Sequence, residues 1–168
     1  MRKSKGILVA VLAVACLAAC GKSPEERIAE AAIGAMTGTA VSVDKDGEKV
    51  TFGSGKDAMT ISGGDSAQLP AGFPKDVFLP ARYKVESVMD SAGFTMVSVR
   101  APGKVPVVAA AAQKHMQGAG WKQSMAAMDD DTNHLLAYEN ARGTALLSFT
   151  TDEGEGVVYS VQLSQKQP

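Results

Sequence analysis

Two histidines, eight methionines and two cysteines give this 168-residue chain its main scope for chemistry. Met89, Met96, Met116, Met125 and Met128, with His115 and His134, are thioether and imidazole groups of the kind that bind Cu(I). The competing reading is that methionine fills gaps in a core with few aromatic residues, and aromatics are only 5% of this chain. His115 falls on an apolar helix stripe, as a core or boundary histidine would, and His134 follows a polar turn and is expected at the surface. Asp129, Asp131 and Asn133 alternate like the opening of an EF-hand loop, but such a loop needs glycine at its sixth place and glutamate at its twelfth. His134 and Asn140 stand there instead, so the run reads as a solvated hairpin turn. Gly53-Ser54-Gly55-Lys56 lacks phosphate-loop spacing and lies between strands rather than before a helix. Nucleophilic catalysis needs a base beside a serine or cysteine, and no serine here stands in such a context. The sequence therefore predicts no catalytic residue, no resident metal and no cofactor. Soft-metal handling is the alternative to a binding role.

Cysteine chemistry remains, and it points elsewhere. The chain opens with Arg2, Lys3 and Lys5 and no acid, then runs uncharged from Gly6 to Ala19. A basic start, a short apolar stretch and small residues at its end are the parts of a secretory signal peptide. The stretch is shorter than the roughly 20 residues needed to span a bilayer. It ends Leu17-Ala18-Ala19-Cys20, which resembles the lipobox of bacterial lipoproteins. That resemblance implies a diacylglyceryl group on the Cys20 thiol, cleavage just before it, and removal of residues 1–19 together with Cys16. Buried acyl chains contribute about 0.8 kcal/mol per methylene, and two or three make attachment effectively permanent. By the sorting rules of that family, Gly21 permits transfer to the outer membrane, whereas Lys22-Ser23 acts in some bacteria as an inner-membrane signal. The expectation favours the outer membrane, with the protein facing the periplasm. The likeness to small envelope lipoproteins extends to the fold and does not imply an activity.

Cleavage would leave 149 residues, with basic residues falling from 17 to 14 against 18 acids, a formal charge of −4. No basic block points to nucleic acid. Cys20 would be the only cysteine left, so packing rather than disulfides must stabilise the fold.

The elements follow from periodicity and punctuation. Residues 20–68 form a lipidated N-terminus, a short helix and a small β region; residues 69–168 form an α+β body. Ser23-Pro24-Glu25-Glu26 has the makings of a helix start, with Ile28, Ala31, Ala32, Ala35 and Met36 on one face and Gly38 as its stop. Residues 40–52 read as a hairpin about Asp44-Lys45-Asp46-Gly47, followed by one more short strand. Residues 69–84 read as a proline-rich linker anchored by Phe73, Val77 and Phe78. The body reads as ββαββββ, an antiparallel sheet with one long helix on a face. Strands fall near 84–90, 93–100, 134–139, 144–150 and 157–163, and another opens at Trp121. The helix over 105–119 carries a stripe of Val108, Ala111, Ala112, His115, Met116 and Ala119. Together these features predict a lipid-anchored envelope protein that binds or assists a partner and is not an enzyme. Its contact surface is expected on the N-terminal helix and the 40–62 strands, a region short of its own core.

Overall fold

A computed structural model describes residues 24–153 and 156–166. Local turn chemistry builds its hairpins. Asp44 accepts the backbone N–H of Gly47 on its carbonyl and that of Lys49 on its carboxylate, and Gly47 takes positive φ. This turn joins β1 (Val41–Val43) to β2 (Lys49–Phe52), and β3 (Met59–Gly63) pairs with β2. Ala92-Gly93 turns β4 (Lys84–Ser91) into β5 (Phe94–Ala101), with Gly93 again at positive φ. The helix preceding β1 is α1 (Pro24–Thr37), ended by Gly38 at positive φ. The second helix, α2 (Val105–Gly118), precedes β6 (Lys122–Asp129), β7 (Asn133–Asn140), β8 (Gly143–Asp152) and β9 (Gly156–Gln165).

The nine strands among the described residues form one antiparallel sheet in the order β1-β2-β3-β4-β5-β9-β8-β7-β6. An antiparallel sheet carrying one long helix was expected, and that coarse description holds. The extent of the sheet was not foreseen. The three N-terminal strands do not make a thin sheet of their own, because β3 pairs with β4 and joins them to the rest. The protein is mainly β, with six strands after residue 83 and three before it.

One face of the sheet holds the core. Val97, Val99, Leu136, Leu147, Phe149, Tyr159 and Val161 are buried there beneath α2, which contributes Val105, Val108, Ala109, Ala112 and Met116. The helix stripe is thus rotated from the expected one: Ala111, His115 and Ala119 are exposed, and the His115 ring meets Phe78 edge-on at 5.8 Å. The segment 69–83 lies along the same core, with Val77 and Phe78 buried and Phe73 packed at the margin. Phe78 is fixed at three points. Its N–H faces the Met116 sulfur at 3.4 Å, its carbonyl accepts from the Tyr159 hydroxyl at 2.9 Å, and its ring meets Tyr159 edge-on. Burial of Tyr159 pushes its phenol pKa well above the usual value.

The opposite face carries a continuous row across the whole sheet. Val43, Val50, Ile61, Met89, Met96, Gln162, Leu146, Ala137 and Met125 are successive cross-strand partners, one from each strand. Eight of these nine are apolar, and such neighbours stabilise sheet pairing.

The N-terminal helix turns a partly polar side to the sheet. Its predicted apolar face points outward: Ile28 is 69% exposed, and Ala31, Ala32 and Ala35 are exposed. Glu30, Ile33 and Gly34 are half-buried instead. The Glu30 carboxylate accepts the Val43 N–H at 2.6 Å, so the helix satisfies a backbone donor of the edge strand it lies beside.

Gly143, at the start of β8, is required by a close approach. A Cβ there would overlap the Ser164 carbonyl oxygen on the paired strand β9. Because the obstacle is backbone, it cannot rotate away. Gly143→Ala is expected to lower stability by about 1–3 kcal/mol, read as a reduced urea midpoint with unchanged slope. A midpoint at or above that of the natural protein would show that the two strands separate freely.

Candidate functional site: a groove beside Trp121

The groove begins with the end of α2. Gly120 adopts positive φ and donates its N–H to Gln117, while the Trp121 N–H donates to the Met116 carbonyl at 2.9 Å. These two bonds form a Schellman motif, in which glycine reverses the chain and the next residue packs back on the helix. The Gly-Trp step thereby drops the Trp121 ring into the core, where it is 6% exposed.

Only the indole N–H needs a partner, and Asp76 provides it at 2.9 Å. The same carboxylate oxygen accepts from the Arg142 guanidinium, whose Cζ lies 5.9 Å from the Trp121 ring centre. Three distant stretches meet here: the 69–83 segment, the end of α2 and the β7–β8 turn. That turn is itself preset by Asn140, whose side-chain oxygen accepts the N–H groups of Arg142 and Gly143. Arg142 remains largely exposed, so solvent screens the ion pair, which orients more than it stabilises.

Beside this cluster lies an open groove of about 490 Å³. Arg142 and Lys166 give it positive charge; Thr144, Ser164 and Gln165 give it hydroxyl and amide groups; Trp121 and Leu163 give it an apolar base. Its far wall is held by Gln165 N–H donating to Gly93 and Lys166 N–H donating to Arg142, both at 2.8 Å. Among the described residues, no histidine, cysteine, aspartate or glutamate lines it, and Asp76 stands behind Trp121 and Arg142. Such a lining can hold an anionic or hydrogen-bonding ligand.

The soft-metal candidates do not converge. Met116 is buried in the core. Met89 and Met96 are cross-strand partners on the sheet face away from α2, with Met125 in the same row. Met128 lies on the other face opposite His134, so Met125 and Met128 point to opposite sides despite being three apart. His134 is half-buried rather than exposed, with Nε2 3.1 Å from the Asp130 carbonyl. Among the described residues, no three His, Cys, Asp or Glu side chains gather as a metal site. The acidic run is the β6–β7 turn. Asp130, at φ 57°, accepts both the N–H and the hydroxyl of Thr132, and these bonds hold its carboxyl below the usual range.

Leu17, Ala18, Ala19, Cys20, Gly21, Lys22 and Ser23 lie outside the described residues. Among those described, no helix is long and apolar enough to cross a membrane. The sequence placed a helix over 105–119 and a strand opening at Trp121 but gave no sign of Asp76 and Arg142, whose spacing in the chain carries no local pattern. No protein-family model matches the chain, and neither curated proteins nor solved structures give a significant match. The groove must therefore be read from its own chemistry.

Proposed function

We propose that this chain is a lipoprotein of the bacterial cell envelope, held by acyl chains on Cys20 and facing the periplasm, that acts by binding rather than by catalysis. The anchoring half of this reading rests on Leu17-Ala18-Ala19-Cys20 behind a basic and then apolar leader. Gly21 permits delivery to the outer membrane, with the inner membrane, through Lys22-Ser23, as the alternative. The binding half rests on one observation: a groove lined, among the described residues, by two cations, hydroxyl groups and an apolar base, with Asp76 orienting Arg142 from behind. A carboxylate-bearing ligand from the envelope fits that lining, with Arg142 and Lys166 as its charge partners and Ser164 and Thr144 as hydrogen-bond donors.

Trp121 is the only tryptophan in the chain, so its fluorescence reports on this groove alone. Titrating the full-length protein in detergent with soluble, carboxylate-bearing cell-wall fragments is expected to give a saturable change in emission. The change should weaken as salt rises, because the attraction between partly exposed charges is screened. It should be lost in the Arg142→Ala/Lys166→Ala double variant. A neutral sugar giving the same response, or an unaltered response in the double variant, would remove the groove from the account.

A further inference from the structure

The two edges of the sheet are treated differently. At β1 the α1 helix lies alongside, and Glu30 takes up an outward backbone N–H. At the other edge, β6 ends the sheet and seven of its eight residues are exposed. Its sequence, Lys-Gln-Ser-Met-Ala-Ala-Met-Asp, has charges only at its two ends and no proline. A bulge between Gln123 and Met125 interrupts the pairing with β7 near the start, but from Met125 to Asp129 the register is regular. Long uncharged edges are normally blunted because their free N–H and C=O groups template pairing with another strand. An approaching strand would meet apolar groups on both faces here: Ala126 and Met128 on the α2 side, and Met125, which is 44% exposed, with Ala127 on the other.

We propose that β6 pairs with β6 of a second copy, antiparallel and about a two-fold axis at Ala126, so that two sheets join edge to edge. Charge complementarity selects a second copy and this direction. Lys122 stands at one end of the strand, and Asp129, Asp130 and Asp131 stand at the other. Reversal by a two-fold axis carries each Lys122 to the acidic turn of the other copy, whereas parallel pairing would set the acidic ends together. Among the described residues, Lys122 pairs with Glu139 at a long 3.9 Å, and both side chains are largely exposed. A two-fold axis normal to the sheet also requires opposed residues to share a face. Centring on Ala126 meets that condition and sets Met125 against Ala127 of the second copy, large against small. This inference is independent of the ligand in the Trp121 groove.

Cysteine crosslinking in intact membranes tests it on the full chain. The only native cysteines are Cys16 and Cys20, both in the leader and lipidation region, so a cysteine introduced into the folded part gives its own signal. Opposed residues of an antiparallel pair lie within disulfide reach. Mild oxidation of Ala126→Cys is expected to give a dimer on a non-reducing gel, and oxidation of Ser54→Cys, in an exposed loop distant in sequence from β6, is expected to give monomer. Adding Lys122→Asp to Ala126→Cys should weaken the dimer band, and adding Asp129→Lys as well should restore it. Monomer at Ala126→Cys, together with no crosslink between Met125→Cys and Ala127→Cys chains mixed in one membrane, would overturn the proposal. So would equal dimer at Ser54→Cys, or a band that ignores the charge reversals.

Discussion

Replacing Trp121 with alanine is expected to cost about 3–5 kcal/mol of folding free energy, the range for truncating a large buried aromatic. The ring is almost wholly removed from water and belongs to the core that joins α2 to the sheet. Its loss opens a cavity beside Met116 and leaves Asp76 with only its exposed arginine partner. The backbone bond from residue 121 to Met116 survives the change, so α2 should still end at Gly120 and far-UV circular dichroism should change little. Trp121→Phe separates the two contributions. It keeps most of the apolar filling but removes the indole donor to a partly buried carboxylate, a hydrogen bond to a charged group worth about 1.5–3 kcal/mol. Urea titrations followed by circular dichroism measure both variants, since the fluorescent reporter is gone. An alanine variant within about 1 kcal/mol of the natural protein would mean that the ring does not hold the 69–83 segment and α2 together, contrary to the packing described.

Much of the fold was legible because it is encoded locally. Asp44 to Gly47 and Ala92-Gly93 carry their turn chemistry within four residues, and Val157, Tyr159, Val161 and Leu163 alternate on a strand whose inward positions are buried. Gly118-Ala119-Gly120-Trp121 likewise announced the end of α2. What was hidden depends on partners far along the chain. Periodicity placed Ile28, Ala31, Ala32, Ala35 and Met36 on one face of α1 but carried no sign of what that face would meet. The helix lies against an edge strand, whose need is an acceptor for a free N–H, and Glu30 meets that need better than an apolar side chain. The joining of β3 to β4 was equally hidden, because Gly63 and Lys84 are separated by a segment with no strand. In the groove, Asp76 lies 45 residues from Trp121 and 66 from Arg142, so only folding reveals that one carboxylate serves both.

The second large effect concerns Cys20, where the expected change is all or none. If acyl chains hold the protein, each methylene in the bilayer contributes about 0.8 kcal/mol, and several chains leave essentially no free protein. Among the described residues no helix is long and apolar enough to cross a membrane. Removing the thiol should therefore abolish lipid attachment altogether, leaving either an uncut chain that still carries its apolar leader or a cut, soluble one.

The most direct measurement is incorporation of radiolabelled palmitate in cells expressing the natural chain and Cys20→Ser, followed by separation of membranes from soluble fractions. Lipid anchoring predicts label in the natural protein, none in the variant, and a variant that keeps its leader uncut or appears in the soluble fraction. Label retained by Cys20→Ser, with the protein still sedimenting cut and membrane-bound, would contradict it.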